Sequence, residues 1–126
     1  MPLLIAVAIA LAMAAAPPVS VDTRVKVAMA PGTFRIRVYV EPHPANRTIC
    51  LHADMNGFPD MYKSCWGADG VKSTWKWLKD CEAGNWDVYA TVERNDGRTL
   101  RSLPMRLVVR GPGYEEPADP FGQPLP

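Results

Sequence analysis

The sequence predicts an all-β protein, folded as a seven-stranded antiparallel β-sandwich. Apolar and polar residues alternate in several short segments, which is typical of half-buried strands. Turn signals recur roughly every 8 to 15 residues, and no segment has helical periodicity. A strand with one apolar face cannot bury that face alone, so we expect two sheets packed face to face.

Turn signals separate the predicted strands. Pro31-Gly32, the cluster 56–59 and Asn95-Asp96-Gly97 are typical of turns. Pro104 has no N–H to donate to a ladder, so it indicates an edge or a bulge within the last strand. The strands are expected at residues 24–29, 34–40, 48–53, 61–66, 71–78, from 86 onwards, and 98–110.

The segment 82–93 carries the strongest fold signal. The apolar face of its alternation consists of Trp86, Val88, Ala90 and Val92. The spacing Glu82-x-Gly84-x-Trp86 resembles the corner before strand F of immunoglobulin-like sandwiches, where an acidic-x-Gly-x-Tyr run turns the chain between the sheets. Trp86 replaces the tyrosine, and Val88 stands where antibody domains have their second cysteine. The chain therefore resembles fibronectin-type-III-like or bacterial immunoglobulin-like domains over most of residues 21–110. The resemblance implies a corner anchored by the aromatic and no antibody-type disulfide.

Both ends of the chain differ in composition from the predicted sandwich. Residues 1–16 form an uncharged leader with a continuous apolar run, and Ala12-Met13-Ala14 offers a signal-peptide cleavage site. An uncleaved anchor is the alternative. Residues 111–126 contain five prolines and little apolar content, as in a disordered tail or spacer. We therefore expect a secreted or periplasmic protein without a transmembrane span in the mature chain.

Composition and motifs favour a non-catalytic protein. The formal net charge of +1 gives no reason to expect a nucleic-acid partner. The chain has no Gly-x-Ser-x-Gly motif, no phosphate-binding glycine loop and no acidic metal cluster, and its two histidines offer few acid–base candidates. We expect neither a cofactor nor a resident metal.

Three cysteines in an exported chain imply one disulfide and one remaining thiol, with three pairings open. If residues 56–59 form a four-residue hairpin loop, Cys50 lies opposite Cys65. We therefore expect a Cys50–Cys65 cross-strand bridge, with Cys81 free. A link between Cys81 and a second chain is the alternative reading.

Cys50 and His52 share the outer face of the predicted third strand. A thiolate beside an imidazole is the pattern of a nucleophile or, with Cys65 and His43, of a metal site. No orienting group or oxyanion donor is evident beside them. We expect a half-exposed polar face here.

The aromatic residues are the best functional candidates. The predicted ligand- or partner-binding residues are Tyr62, Trp66, Trp75 and Trp77. Because the spacing of Trp75 and Trp77 suits one buried strand face, we expect them to fill the core. If they face outward instead, they form a two-ring platform that stacks on sugars or anchors a protein. The predicted function is a binding module with a protein partner. Carbohydrate binding is the alternative, and periplasmic metal binding is less favoured.

Two further patterns, a set of outward basic residues and a glycosylation sequence, are not taken as evidence of function. Six basic residues on outward strand positions are expected to be solvated charges, with an anionic ligand as the alternative: Arg24, Lys26, Arg35, Arg37, Arg106 and Arg110. Asn46-Arg47-Thr48 fits the N-glycosylation pattern, which matters only in a eukaryotic secretory pathway.

Overall fold

The computed structural model describes residues 17–70 and 72–111, and this part of the chain is built from strands connected by turns. The predicted leader, residues 1–16, and all of the predicted tail 111–126 except Gly111 lie outside the described residues. The strands are β1 (Val19–Asp22), β2 (Val27–Met29), β3 (Gly32–Val40), β4 (Asn46–Met55), β5 (Phe58–Gly67), β6 (Ser73–Cys81), β7 (Gly84–Arg94), β8 (Thr99–Arg101) and β9 (Met105–Arg110).

The strands form two sheets that enclose one core. The small sheet has the order β1-β3-β6, and both of its pairs are antiparallel. The large sheet has the order β2-β9-β7-β4-β5, and β8 also pairs with β7. The pairing is mostly antiparallel, as predicted, but β2 runs parallel to β9. The predicted count of seven strands is wrong, because the described residues form nine.

One additional strand, β1, lies before the predicted first strand 24–29, and the other arises because the predicted last strand is interrupted. The chain pairs as β1 in the small sheet, crosses over, and pairs again as β2 in the large sheet. The Thr23 hydroxyl donates to the carbonyl of Arg35 at 2.9 Å and so fixes the crossing. The predicted strand 98–110 is divided into β8 and β9 around Pro104, which cannot donate to the ladder. Leu103, the residue before Pro104, is 84 % exposed.

The core consists of the inward-facing side chains of both sheets, as the alternation predicted. In β3, Phe34, Ile36 and Val38 are buried while the residues between them face outward. In β7, the predicted apolar face is buried from Trp86 to Val92. Each large apolar side chain buried in this way contributes about 1.5–3 kcal/mol. Core packing therefore fixes which face of each strand remains available for binding.

The corner before β7 is anchored by Trp86. Its indole N–H donates to the carbonyl of Glu82 at 2.9 Å, and the side chain is 5 % exposed. Gly84 has φ of +151°, and the side chain of Asn56 lies directly over its α-carbon. Asn56 Oδ1 also accepts a hydrogen bond from the backbone N–H of Asn85 at 2.9 Å. The anchoring role that the resemblance implied for Trp86 is therefore confirmed.

The β4–β5 hairpin brings Cys50 opposite Cys65, and the predicted disulfide is present. The turn itself differs from the prediction, because it is formed by Asn56 and Gly57, a favoured pair for a two-residue hairpin. A register shift between Ala53 and Met55 compensates for the shorter turn. The predicted pairing is therefore correct, although the four-residue loop from which it was derived is not.

Candidate binding surface

Trp75 and Trp77 lie on the outer face of the small sheet. Their exposed fractions are 44 % and 53 %. Leu78, the residue after Trp77, enters the core, so the two tryptophans belong to the opposite phase of this part of β6. The expectation that they fill the core is therefore wrong. The outward arrangement, which was the alternative, is the one present.

The register of β6 against β3 explains why the tryptophans face outward. Trp77 lies opposite Arg35, and Trp75 lies opposite Arg37. The Arg35 guanidinium carbon lies 4.2 Å from the centroid of the Trp75 ring and 5.9 Å from that of Trp77. A cation over an indole face is favourable by about 0.5–1 kcal/mol at an exposed site. Arg35 thus links the two rings into one cationic and aromatic surface.

A groove of about 380 Å³ crosses this surface. One wall is the crossing segment that contains Thr23 and Val25, and the other is formed by the two tryptophans. Val25 is 56 % exposed, so the first wall adds apolar area. The complete lining is Thr23, Arg24, Val25, Thr33, Phe34, Arg35, Trp75 and Trp77. No local sequence pattern predicts this wall, because only the tertiary fold brings residues 23–25 beside β3.

Tyr62 and Trp66, the other two predicted binding residues, do not join this surface. Both are half-buried on the inward side of β5, where they pack against the core. The Lys76 ammonium lies 4.4 Å from the centroid of the Trp66 ring. The Tyr62 hydroxyl donates to the carbonyl of Trp77 at 3.4 Å. These two aromatics therefore close the side of the sandwich between β5 and β6.

The outer face of β4 holds His52 in a closed polar cluster. His52 is 8 % exposed, and its Nδ1 and Nε2 are each 2.9 Å from an oxygen, Oδ1 of Asp60 and Oγ1 of Thr91. Tyr89 stacks on the imidazole with ring centroids 4.7 Å apart. Burial, and then the Asp54 carboxylate, raise the pKa of the Tyr89 phenol. Local sequence patterns point to His52 but not to its partners, since those come from other parts of the chain.

This cluster does not favour the hypotheses of a metal site or a nucleophile at Cys50 and His52. Cys50 is bonded to Cys65, so it supplies no thiolate beside His52 while the disulfide is intact. Both ring nitrogens of His52 already have hydrogen-bond partners. Within residues 17–70 and 72–111, no group of three or more His, Cys, Asp or Glu residues is arranged to hold a metal ion.

Cys81 is a free thiol in the core, with 1 % of its surface exposed. Burial, with a smaller effect from the Asp80 carboxylate, raises the pKa of this thiol from 9.0 to about 11. Its Sγ contacts the carbonyl oxygen of Leu78 at 3.9 Å. A thiol so placed is protonated at neutral pH and inaccessible, so the folded domain does not present it for a link to another chain.

Asn46, the acceptor residue of the glycosylation pattern, is 7 % exposed. Its Nδ2 donates to the carbonyl of Glu41 at 3.1 Å, and its Oδ1 accepts from Nε of Arg94 at 3.1 Å. Both ends of the amide are therefore used to tie the 41–45 loop to β4 and β7.

Comparison with known proteins identifies the fold. No family profile matches the chain, and no curated protein matches it either. Among solved structures, the fibronectin(III)-like modules of Clostridium thermocellum CbhA superpose with a TM-score of 0.55 at 17% sequence identity. The match covers 73% of this chain and 94% of the CbhA module chain. The fold is fibronectin-type-III-like.

The fibronectin-type-III-like fold agrees with the resemblance inferred from the corner at Trp86. At this level of identity the likeness concerns the fold alone. None of the described segments forms a helix that is long and apolar enough to cross a membrane.

Proposed function

We propose that this protein is a non-catalytic binding module that docks a protein partner through the outer face of its small sheet. The observation that carries the proposal is the exposure of Trp75 and Trp77 beside Arg35. Tryptophan and arginine are enriched among the residues that contribute most to protein–protein binding. Exposed aromatic surface of this kind raises the free energy of the domain in water, and a partner that buries the surface lowers that free energy.

The Arg35 guanidinium above one face of the Trp75 ring favours a protein over a carbohydrate. A sugar binds tryptophan by stacking on an open ring face, whereas the guanidinium of Arg35 already occupies a position 4.2 Å from the Trp75 centroid. The outer edge of the same guanidinium can instead pair with a carboxylate. A side chain of Asp or Glu therefore suits this surface better than a neutral sugar.

The charges of this face support an acidic partner. The exposed charged residues of β1, β3 and β6 are three cations, Arg35, Arg37 and Lys79, and two acids, Asp22 and Asp80. Asp22 lies opposite Arg37. Arg24 adds a further cation at the wall of the groove. Complementary charge accelerates encounter and selects the partner, and its effect weakens as salt increases.

The disulfide favours a location outside the cytoplasm. Structural disulfides persist in oxidising compartments, such as the periplasm and the extracellular space. The Cys50–Cys65 bridge joins the edge strand β5 to β4, where it reinforces a small domain. Together with the leader expected from the sequence, the bridge supports a secreted or periplasmic protein.

The test is crosslinked capture from envelope and culture supernatant, read by mass spectrometry. The wild-type protein is compared with Trp75→Ala/Trp77→Ala and with Phe58→Ala/Met61→Ala, a control that removes exposed apolar side chains from β5. We expect one stoichiometric acidic partner, captured by wild type and control. Loss of two such anchors weakens binding by about 30-fold or more.

Two results would count against this function. Equal capture by all three proteins would show that the tryptophans are not the binding surface. Retention of glycans on an array, with the same dependence on Trp75 and Trp77 and no protein partner, would establish a carbohydrate-binding module instead.

A further inference from the structure

The groove on the small sheet has rigid walls and a definite chemistry. The hydrogen bond from the Thr23 hydroxyl to the Arg35 carbonyl holds the crossing segment against β3. The opposite wall is fixed by the pairing of β6 with β3. The indole rings of Trp75 and Trp77 form this second wall, and the Arg35 guanidinium lies beside them. Grooves lined by aromatic side chains bind extended, proline-containing peptides, and the arginine adds a preference for carboxylates.

Residues 112–126 of this chain have the composition that such a groove selects. They contain three acidic residues and no Lys or Arg, and five of the fifteen are proline. Tyr114 and Phe121 flank the acidic part and offer rings that can pack against indoles. The charge of this segment is therefore opposite to that of the groove.

The described chain ends at the end of the sandwich where the groove begins. The N–H of Ala30 donates to the carbonyl of Arg110, so Gly111 lies beside Ala30. Two residues after Ala30, Gly32 starts β3, and the next residue, Thr33, lines the groove. A fifteen-residue segment in extended polyproline form spans about 45 Å. The stretch of β3 under the groove spans only about 10–15 Å, so the segment is long enough to follow it.

We propose that residues 112–126 bind in this groove of their own chain and cover Trp75 and Trp77 until a partner displaces them. The proposal rests on the proposed function, since both use the same surface. Attachment to the domain gives the segment an effective concentration on the order of millimolar, so a weak contact is sufficient for occupancy. When the segment covers the groove, less indole surface is exposed to water in the free protein. A partner must then bind more tightly in order to displace the segment.

The experiment uses the exported protein with its complete tail and follows the indole N–H signals by nuclear magnetic resonance. Each signal is assigned by a Trp→Phe variant. Glu115→Lys/Glu116→Lys/Asp119→Lys reverses the tail charges. The matched control, Glu41→Lys/Asp69→Lys/Glu93→Lys, reverses three exposed acids of the domain. We expect the tail variant to shift the Trp75 and Trp77 signals, whereas Trp86 and the control variant stay unchanged. High salt should produce the same shift in the wild type.

Three outcomes would overturn the proposal. Trp75 and Trp77 signals that coincide between the tail variant and wild type would show that the tail does not contact these rings. An equal shift in the control variant would indicate a general charge effect. Dependence of the signals on protein concentration would assign the contact to a second copy rather than to the same chain.

Partner capture separates this proposal from the proposed function. If the tail covers the surface, the tail variant captures more partner than wild type, and Trp75→Ala/Trp77→Ala captures less. Unchanged indole signals combined with tryptophan-dependent capture would refute the tail contact and leave the binding function intact. Shifted signals combined with capture independent of Trp75 and Trp77 would support the tail contact and refute the binding function.

Discussion

Replacement of Gly84 by alanine should destabilise the domain by two separable effects. Gly84 has φ of +151°, a backbone conformation that an L-residue rarely adopts. A methyl group on its α-carbon would also lie 2.9 Å from Nδ2 and 3.0 Å from Oδ1 of Asn56. Asn56 cannot move away freely, because its Oδ1 accepts the N–H of Asn85 at 2.9 Å.

The expected loss in the free energy of unfolding is the sum of these two costs. The backbone conformation costs about 1–3 kcal/mol for a residue with a β-carbon. Displacement of Asn56 forfeits a hydrogen bond worth about 1 kcal/mol. Gly84→Ala should therefore lose about 2–4 kcal/mol. Gly97→Ala is the matched control, since Gly97 also has positive φ, +86°, but nothing lies within 4 Å of the added carbon. The control should lose only about 1–2 kcal/mol.

The assay is urea unfolding of five proteins, followed by tryptophan fluorescence: wild type, Gly84→Ala, Gly97→Ala, Asn56→Ala and Gly84→Ala/Asn56→Ala. Because the clash disappears when Asn56 is absent, the double variant should be more stable than the sum of the single losses predicts, by about 1 kcal/mol. Strict additivity, together with equal losses for Gly84→Ala and Gly97→Ala, would refute the role assigned to the Asn56 contact.

Three other predictions concern the disulfide, the buried thiol and the corner. Replacing Cys50 and Cys65 together by alanine opens a loop with a sequence separation of 15 and should cost about 3 kcal/mol in urea unfolding; an unchanged midpoint would contradict this. Cys81 should resist thiol reagents at pH 8 until the protein unfolds, since burial raises its pKa from 9.0 to about 11. Its contribution to stability is complete below pH 9 and is lost as pH rises towards 11; a folded protein that reacts promptly would disprove the burial. Trp86→Phe removes the bond to Glu82 and should lower stability by about 1–2 kcal/mol, whereas an unaltered unfolding curve would show that the bond contributes nothing.

Features encoded locally in the sequence could be predicted. The β7 alternation and the corner spacing around Gly84 and Trp86 each lie within a dozen residues, and both appear in the fold. The pairing of Cys50 with Cys65 also depends on one hairpin, and the register shift between β4 and β5 offsets the error in the predicted turn. Short-range patterns are reliable here because few other elements act on them.

Features that depend on distant partners could not be predicted. The alternation of β6 allows either Trp75 and Trp77 or the intervening residues to face inward. The choice follows from the register with β3, which places Arg35 and Arg37 opposite the tryptophans on the outer face. The groove depends on residues 23–25 crossing between sheets, and no local pattern indicates that crossing.

The hydrogen bonds of Asn46 affect the choice of cells in which this protein can be produced. Glycan transfer in the endoplasmic reticulum acts on the unfolded chain, where Asn46-Arg47-Thr48 is an acceptor sequence. A glycan on this amide has no room once the loop of Glu41 closes over it, and the contact with Arg94 is lost. Secretion from yeast or mammalian cells should therefore yield a misfolded fraction that bacterial export avoids. Thr48→Val removes the acceptor sequence and leaves the Asn46 amide in place.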